Sequence, residues 1–117
     1  MLSLDVHHRG DYLLLCLNGE LDLGNSRTFR DRLLEFSRQE LPTIVDLTEL
    51  QFIDSSGLAA LVAILRMPAS QRPRIVLAAT GGAVYRVLRT TQLDRLLAIS
   101  ASVDAALAAP AAVRSVA

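Results

Sequence analysis

Three short apolar runs, separated by stretches with helical periodicity, constrain this chain more than any other feature. They are TIVDL (Thr43 to Leu47), RIVLAA (Arg74 to Ala79) and LLAI (Leu96 to Ile99). Between the first two, Leu58, Leu61, Val62 and Leu65 fall at i, i+3, i+4 and i+7, which predicts a helix from about Ser56 to Arg66. Pro68 stops it, because its ring restricts Met67 and removes a donor. Val84, Val87, Leu88 and Thr91 make a second stripe, opened by Thr80-Gly81-Gly82. Strands that alternate with helices of crossover length run parallel and are joined by right-handed units.

The chain ahead of this core reads differently. Leu2, Leu4 and Val6 alternate with Ser3, Asp5 and His7, the period of a half-buried strand. Arg9-Gly10-Asp11 is a turn signal, and Tyr12 to Leu17 is an apolar strand completing a hairpin. GELDLGNS reads as a loop in which Asn25 or Ser26 can cap a helix carrying Phe29, Leu33 and Phe36, ended by Pro42. At the other end, Ser100 or Ser102 can cap a last helix through Leu107, which Pro110 closes. The predicted order is β-β-α-β-α-β-α-β-α: one α/β domain over residues 1–117, ordered over about 2–107, with a tail, 108–117, expected to fray. Val45, Leu47, Leu61, Val62, Leu65, Val76 and Leu88 are the predicted core.

Composition then removes whole classes of function. The chain has 117 residues, enough for one core without metal or disulfide support. Half the residues are apolar, but no run approaches the ~20 that a membrane-spanning helix needs. MLSLDVHHRGD lacks the basic flank and apolar block of a secretory signal. Twelve acids balance twelve bases, so nothing announces nucleic acid or a lipid surface. Every base is arginine, so no lysine serves Schiff-base or phosphate-loop chemistry. Cys16 is alone, which forbids an intramolecular disulfide and points to a reduced cytoplasm; within YLLLCLNG it reads as a buried small apolar residue.

What apolar patterning does not explain is FIDSSGL, Phe52 to Leu58, which opens the helix after TIVDL by one short loop. Ligands of open α/β sheets meet the protein beyond the carboxyl ends of the strands, which is where this stretch falls. The plainer reading makes Asp54 or Ser55 a helix cap and lets Gly57 permit close packing. A hydrolase elbow needs a glycine before the serine and a partner histidine. Here no glycine precedes the serines, and His7 and His8 lie on the first strand. No metal-ligand spacing is present, so no metal or cofactor is expected. Asp22, Asp46 and Asp54 are only weakly similar to a receiver domain's acidic site, which also needs a paired acid and a late lysine. A further reading remains open: a serine that is itself modified. A helix start presents free N–H groups and a partial positive charge, so it tolerates a phosphate.

Gly19-Glu20-Leu21-Asp22, TIVDLTELQFIDSSGLAAL and Val87 to Asp94 (VLRTTQLD) together resemble the bacterial anti-sigma factor antagonists of the STAS-domain family, over Leu2 to about Leu107. The DSSGL signal in its strand-loop-helix context is specific; the other two segments sit at the family's spacing. The resemblance implies a mostly parallel sheet covered by helices and no catalysis. It implies binding to a serine-kinase anti-sigma factor, which releases a sigma factor. It also implies phosphorylation on Ser55 and reversal by a PP2C-like, manganese- or magnesium-dependent phosphatase. Asp54, Ser56, Gly57 and Leu58 would frame the acceptor, with Asp22 as a partner contact on the neighbouring loop; Ser56 is the alternative acceptor. Two departures stand out: MPASQRPR breaks the family's second helix with two prolines, and the last helix has little apolar bulk. A rival within the family is the small cytoplasmic STAS subunit of a lipid-transport ABC complex.

Overall fold

The computed structural model describes residues 1–39, 41–67, 75–79 and 82–108, the side chains of Ser37, Ile64 and Leu65 excepted. Five strands form one sheet in sequence order: β1 (Leu2–His8), β2 (Leu13–Leu21), β3 (Thr43–Ile53), β4 (Ile75–Ala78) and β5 (Ala98–Ser100). The hairpin β1–β2 is antiparallel and every later pairing is parallel. Gly10, at φ +79, makes the hairpin turn, where Arg9 N–H donates to Tyr12 O. The helices are α1 (Ser26–Ser37), α2 (Ser55–Val62), α3 (Gly82–Thr90) and α4 (Val103–Ala108). The predicted architecture is the observed one.

Strand order also decides where the helices go. Each parallel connection steps to the next strand in one direction, and right-handed crossovers taken in one direction all fall on the same face. Accordingly Phe29 and Leu33 of α1, Ala60 and Leu61 of α2, and Val84 and Leu88 of α3 share one core with Leu15, Leu17, Val45, Leu47 and Leu77. Among the described helices only α4, which follows the last strand, reaches the opposite face, where Ala106 meets Leu14, Ile44, Val76 and Ala78. Ser102 Oγ accepts from Ala105 N–H at its start. Val76 therefore belongs to the second layer rather than to the single core expected, and Val62 is only half-buried. The side chain of Leu65, most of the proline loop (68–74), Thr80-Gly81 and the tail from 109 lie outside the described residues.

The strands run longer than their apolar runs. β2 continues through Gly19-Glu20-Leu21 and β3 through Ile53, so the loop and the short connection read from sequence are largely strand. Register shifts between Cys16 and Asn18, and between Gly19 and Glu20, give β3 an extra residue at each step. Bulges of this kind reset which face a residue meets, and β3 buries Leu47, Leu50 and Ile53 at a period of three. Thr48 N–H and Oγ1 both donate to Asp46 Oδ1 at the first shift. Two further boundaries differ. The predicted helix to Arg66 is α-helical only to Val62, with a 3-10 turn over Ala63–Arg66. The last strand begins at Ala98 because Leu93–Arg95 forms a 3-10 turn.

Cys16 is half-buried, not fully buried, and sits on the α4 face with its Sγ 4.0 Å from Asp46 Oδ2. Burial, then the Asp46 and Asp5 carboxylates, push its thiol up from the ordinary range against a smaller opposing effect of Arg9. Such a thiol holds its proton and is a poor nucleophile.

Candidate functional site

β2 and β3 end side by side, with Leu21 paired to Ile53. From that edge two loops leave the sheet together: residues 22–25 ahead of α1, and Asp54 alone ahead of α2. Asp54 is in extended conformation and its N–H donates to Leu21 O at 3.2 Å. Its Oδ1 accepts from Gly57 N–H at 3.0 Å, which caps α2, and its Oδ2 accepts from Leu23 N–H at 3.1 Å. One carboxylate thus fixes both the start of α2 and the neighbouring loop. The cap is Asp54, and neither Ser55 nor Ser56 performs that task.

The Asp22 loop is built by its own polar groups. Asp22 Oδ1 accepts from Gly24 N–H, and Asp22 O accepts from Asn25 and Ser26 N–H. Asn25 returns the bond, with Oδ1 accepting from Asp22 N–H and Nδ2 donating to Glu20 O. Asn25 precedes α1 yet spends its side chain on this turn rather than on a cap. The turn thrusts Leu23 outward, 78% exposed, and Phe52 at the end of β3 is 47% exposed. Periodicity did not single out these two exposed apolar side chains beside the candidate site. The available signal was an isolated leucine inside a polar loop.

Gly57 is required by packing. A Cβ there would lie 2.7 Å from Leu21 O and 2.7 Å from Ile53 Cγ1, and a backbone oxygen cannot step aside. Leu58 is half-buried and packs against the main core. Ser56 is half-buried and Ser55 is exposed. Gly57 and Leu58 N–H are taken by Asp54, so the free donors at the start of α2 among the described residues are those of Ser55 and Ser56. The structure therefore gathers Asp22, Asp54, Ser55, Ser56 and Gly57 at one sheet edge, with Ser55 as its open hydroxyl. Val87 to Asp94 does not join them through any described bond. Its Leu88 is buried, Thr91 Oγ1 donates to Val87 O, and Gln92 takes a left-handed turn at φ 60.

Nothing in this arrangement assembles a nucleophile with a base. His7 and His8 lie on β1, which β2 separates from β3. Among the described residues, no three His, Cys, Asp or Glu side chains come together as a metal site. Among them, too, no helix is long and apolar enough to cross a membrane.

Over residues 3–106 the chain matches the STAS domain family. It belongs to that family. Solved structures of similar fold include an anti-sigma factor antagonist from Mycobacterium paratuberculosis, 22% identical, TM-score 0.83, covering 93% of each chain. A putative anti-sigma factor antagonist from Thermotoga maritima is 26% identical with TM-score 0.79, over 90% of this chain and 92% of the other. The Bacillus cell fate determinant SpoIIAA in its phosphorylated form is 18% identical with TM-score 0.65, over 91% and 97%. In this STAS domain the DSSG segment runs from the Asp54 cap into the first turn of α2, with Ser55 exposed.

The double hold of Asp54 leads to a measurable asymmetry. Asp54→Ala removes the cap and the Leu23 anchor together and should lower stability by ~0.5–2 kcal/mol for the cap alone. Asp54→Asn keeps one acceptor oxygen, so it should cap α2 while releasing Leu23 N–H, and the loss should be smaller. Denaturant titration of both variants checks this; equal losses would show that the Leu23 bond, not the cap, dominates.

Proposed function

We propose that this STAS protein is an anti-sigma factor antagonist that binds a serine-kinase anti-sigma factor, and that phosphorylation of Ser55 switches it off. The observation that carries the reading is the exposed Ser55 hydroxyl at the first position of α2, beside a cap supplied wholly by Asp54. Because Ser55 bears no structural duty, its modification leaves α2 intact, and the free N–H groups and helix dipole accommodate the added charge. Leu23 and Phe52 give the same edge exposed apolar surface, and Asp22 gives it a rigid turn. Similar folds named as anti-sigma factor antagonists, and one of a cell fate determinant described in a phosphorylated form, support this assignment. The domain works as a binding module with no reaction of its own, in the cytoplasm, and a PP2C-like phosphatase resets it.

Incubated with its cognate kinase, ATP and Mg²⁺, the protein should gain one phosphate, placed on Ser55 by mass spectrometry. Phosphate on Ser56 or on a threonine would overturn the assignment. Esterase turnover by the isolated protein, abolished by Ser55→Ala, would instead make it a hydrolase. Capture from the native host separates the rival role within the family: a kinase-like anti-sigma factor supports this reading, and a transporter ATPase supports the lipid-transport subunit.

A further inference from the structure

β1 is an outer strand. One of its sides pairs with β2, and no described residue pairs with the other. The hydrogen bonds at the two ends of the hairpin fix which backbone groups are left over. Arg9 N–H donates to Tyr12 O at one end and Glu20 N–H to Met1 O at the other. Bonded and non-bonded pairs alternate along an antiparallel ladder, so Ser3, Asp5 and His7 turn their N–H and C=O toward β2. Those of Leu2, Leu4, Val6 and His8 point away from the sheet, a row of open donors and acceptors.

We propose that this row pairs with the β1 edge of a second copy of the same chain, antiparallel about a two-fold axis at Val6. Only the even-numbered residues carry outward groups, so the axis must pass through a residue, and charge selects which. Centred on Asp5, the seam sets two carboxylates against each other. Centred on His7, it opposes two imidazoles on the axis and sets Asp5 against Arg9, which lies beyond the end of β1; centred on Leu4, it leaves His8 without a partner. Centred on Val6, it sets Asp5 opposite His7 of the other copy, twice by symmetry, in non-bonded pairs where side chains approach most closely. Within the chain, neither Asp5 nor His7 has a side-chain hydrogen bond or ion pair among the described residues, and Asp5 is exposed. Across the seam an imidazole N–H donates to the carboxylate. On the other face Val6, half-buried against the main core, meets its own counterpart on the axis, and Leu4 lies opposite His8 of the other copy. The proposal is independent of the role of Ser55.

Sedimentation equilibrium of the full chain should show a concentration-dependent dimer. Asp5→Arg and His7→Asp should each weaken it by roughly tenfold, since each change acts twice across the axis. The double variant Asp5→Arg/His7→Asp should restore it, because the swapped charges again meet. Restoration is specific to the axis at Val6; with the axis at His7, the double variant would bring the introduced guanidinium against Arg9 and oppose two carboxylates on the axis itself. On wild-type protein, hydrogen exchange at the amides of Leu4, Val6 and His8 should slow as concentration rises. A chain that stays monomeric, a dimer that the double variant fails to restore, or exchange at those amides independent of concentration would each overturn the proposal.

Discussion

Leu61→Ala should destabilise the protein by ~2–5 kcal/mol. Leu61 is 2% exposed on the face of α2 that packs against α1 and β3. Truncation removes the transfer free energy of its side chain and leaves a cavity. The surroundings resist collapse, because Gly57 already presses the start of α2 against Leu21 and Ile53. Leu23→Ala is the matched control: the same chemical change at a 78% exposed position should stay within about 0.5 kcal/mol. Denaturant titration of the pair reads both. A loss below ~1 kcal/mol at Leu61 would contradict its burial.

Apolar period carried most of the architecture, because it reports burial directly. It revealed the hairpin, the alternation of strands with helices, and the core positions Val45, Leu47, Leu61 and Leu88. It failed where a strand is half solvated or irregular. Thr48, Glu49, Gln51 and Phe52 are exposed, and two bulges break the period of two, so the last turn of β3 looked like a loop. The separation of Val76 from the main core was hidden for another reason. Which face a parallel strand's residue meets depends on the handedness and direction of the crossovers, and no local pattern encodes that.

The site divides along the same line. That DSSG opens a helix was legible from residue types alone, and Gly57 as a packing glycine was one of the readings left open. That Asp54 reaches across to Leu23 N–H was not, because that bond joins positions 31 residues apart in sequence. Of the two caps that residue types left open, Asp54 and Ser55, it is Asp54 that caps α2. This frees Ser55 from the capping task, as the proposed phosphorylation switch requires if the fold is to survive both states.

Ser55→Asp should therefore keep its fold and lose its partner. With Asp54 as the cap, Ser55→Ala should change stability by no more than about 0.5 kcal/mol. Ser55→Asp places a carboxylate at the first turn of α2, where the helix dipole favours it by ~0.3–1 kcal/mol, offset by the neighbouring Asp54 carboxylate. Neither change touches the buried layers, so circular dichroism of both variants should match the wild type. Binding should separate them. Ser55→Ala removes one exposed hydroxyl and should bind the kinase anti-sigma factor about as tightly as wild type, without being inactivated by it. Ser55→Asp brings a charge into a contact made around a neutral hydroxyl, where desolvation and like-charge repulsion amount to several kcal/mol, or roughly a hundredfold or more in affinity. Calorimetric titration of the two variants against the kinase, with nucleotide present, decides the matter. A Ser55→Asp variant that binds as tightly as wild type would mean that this helix start is not the docking surface.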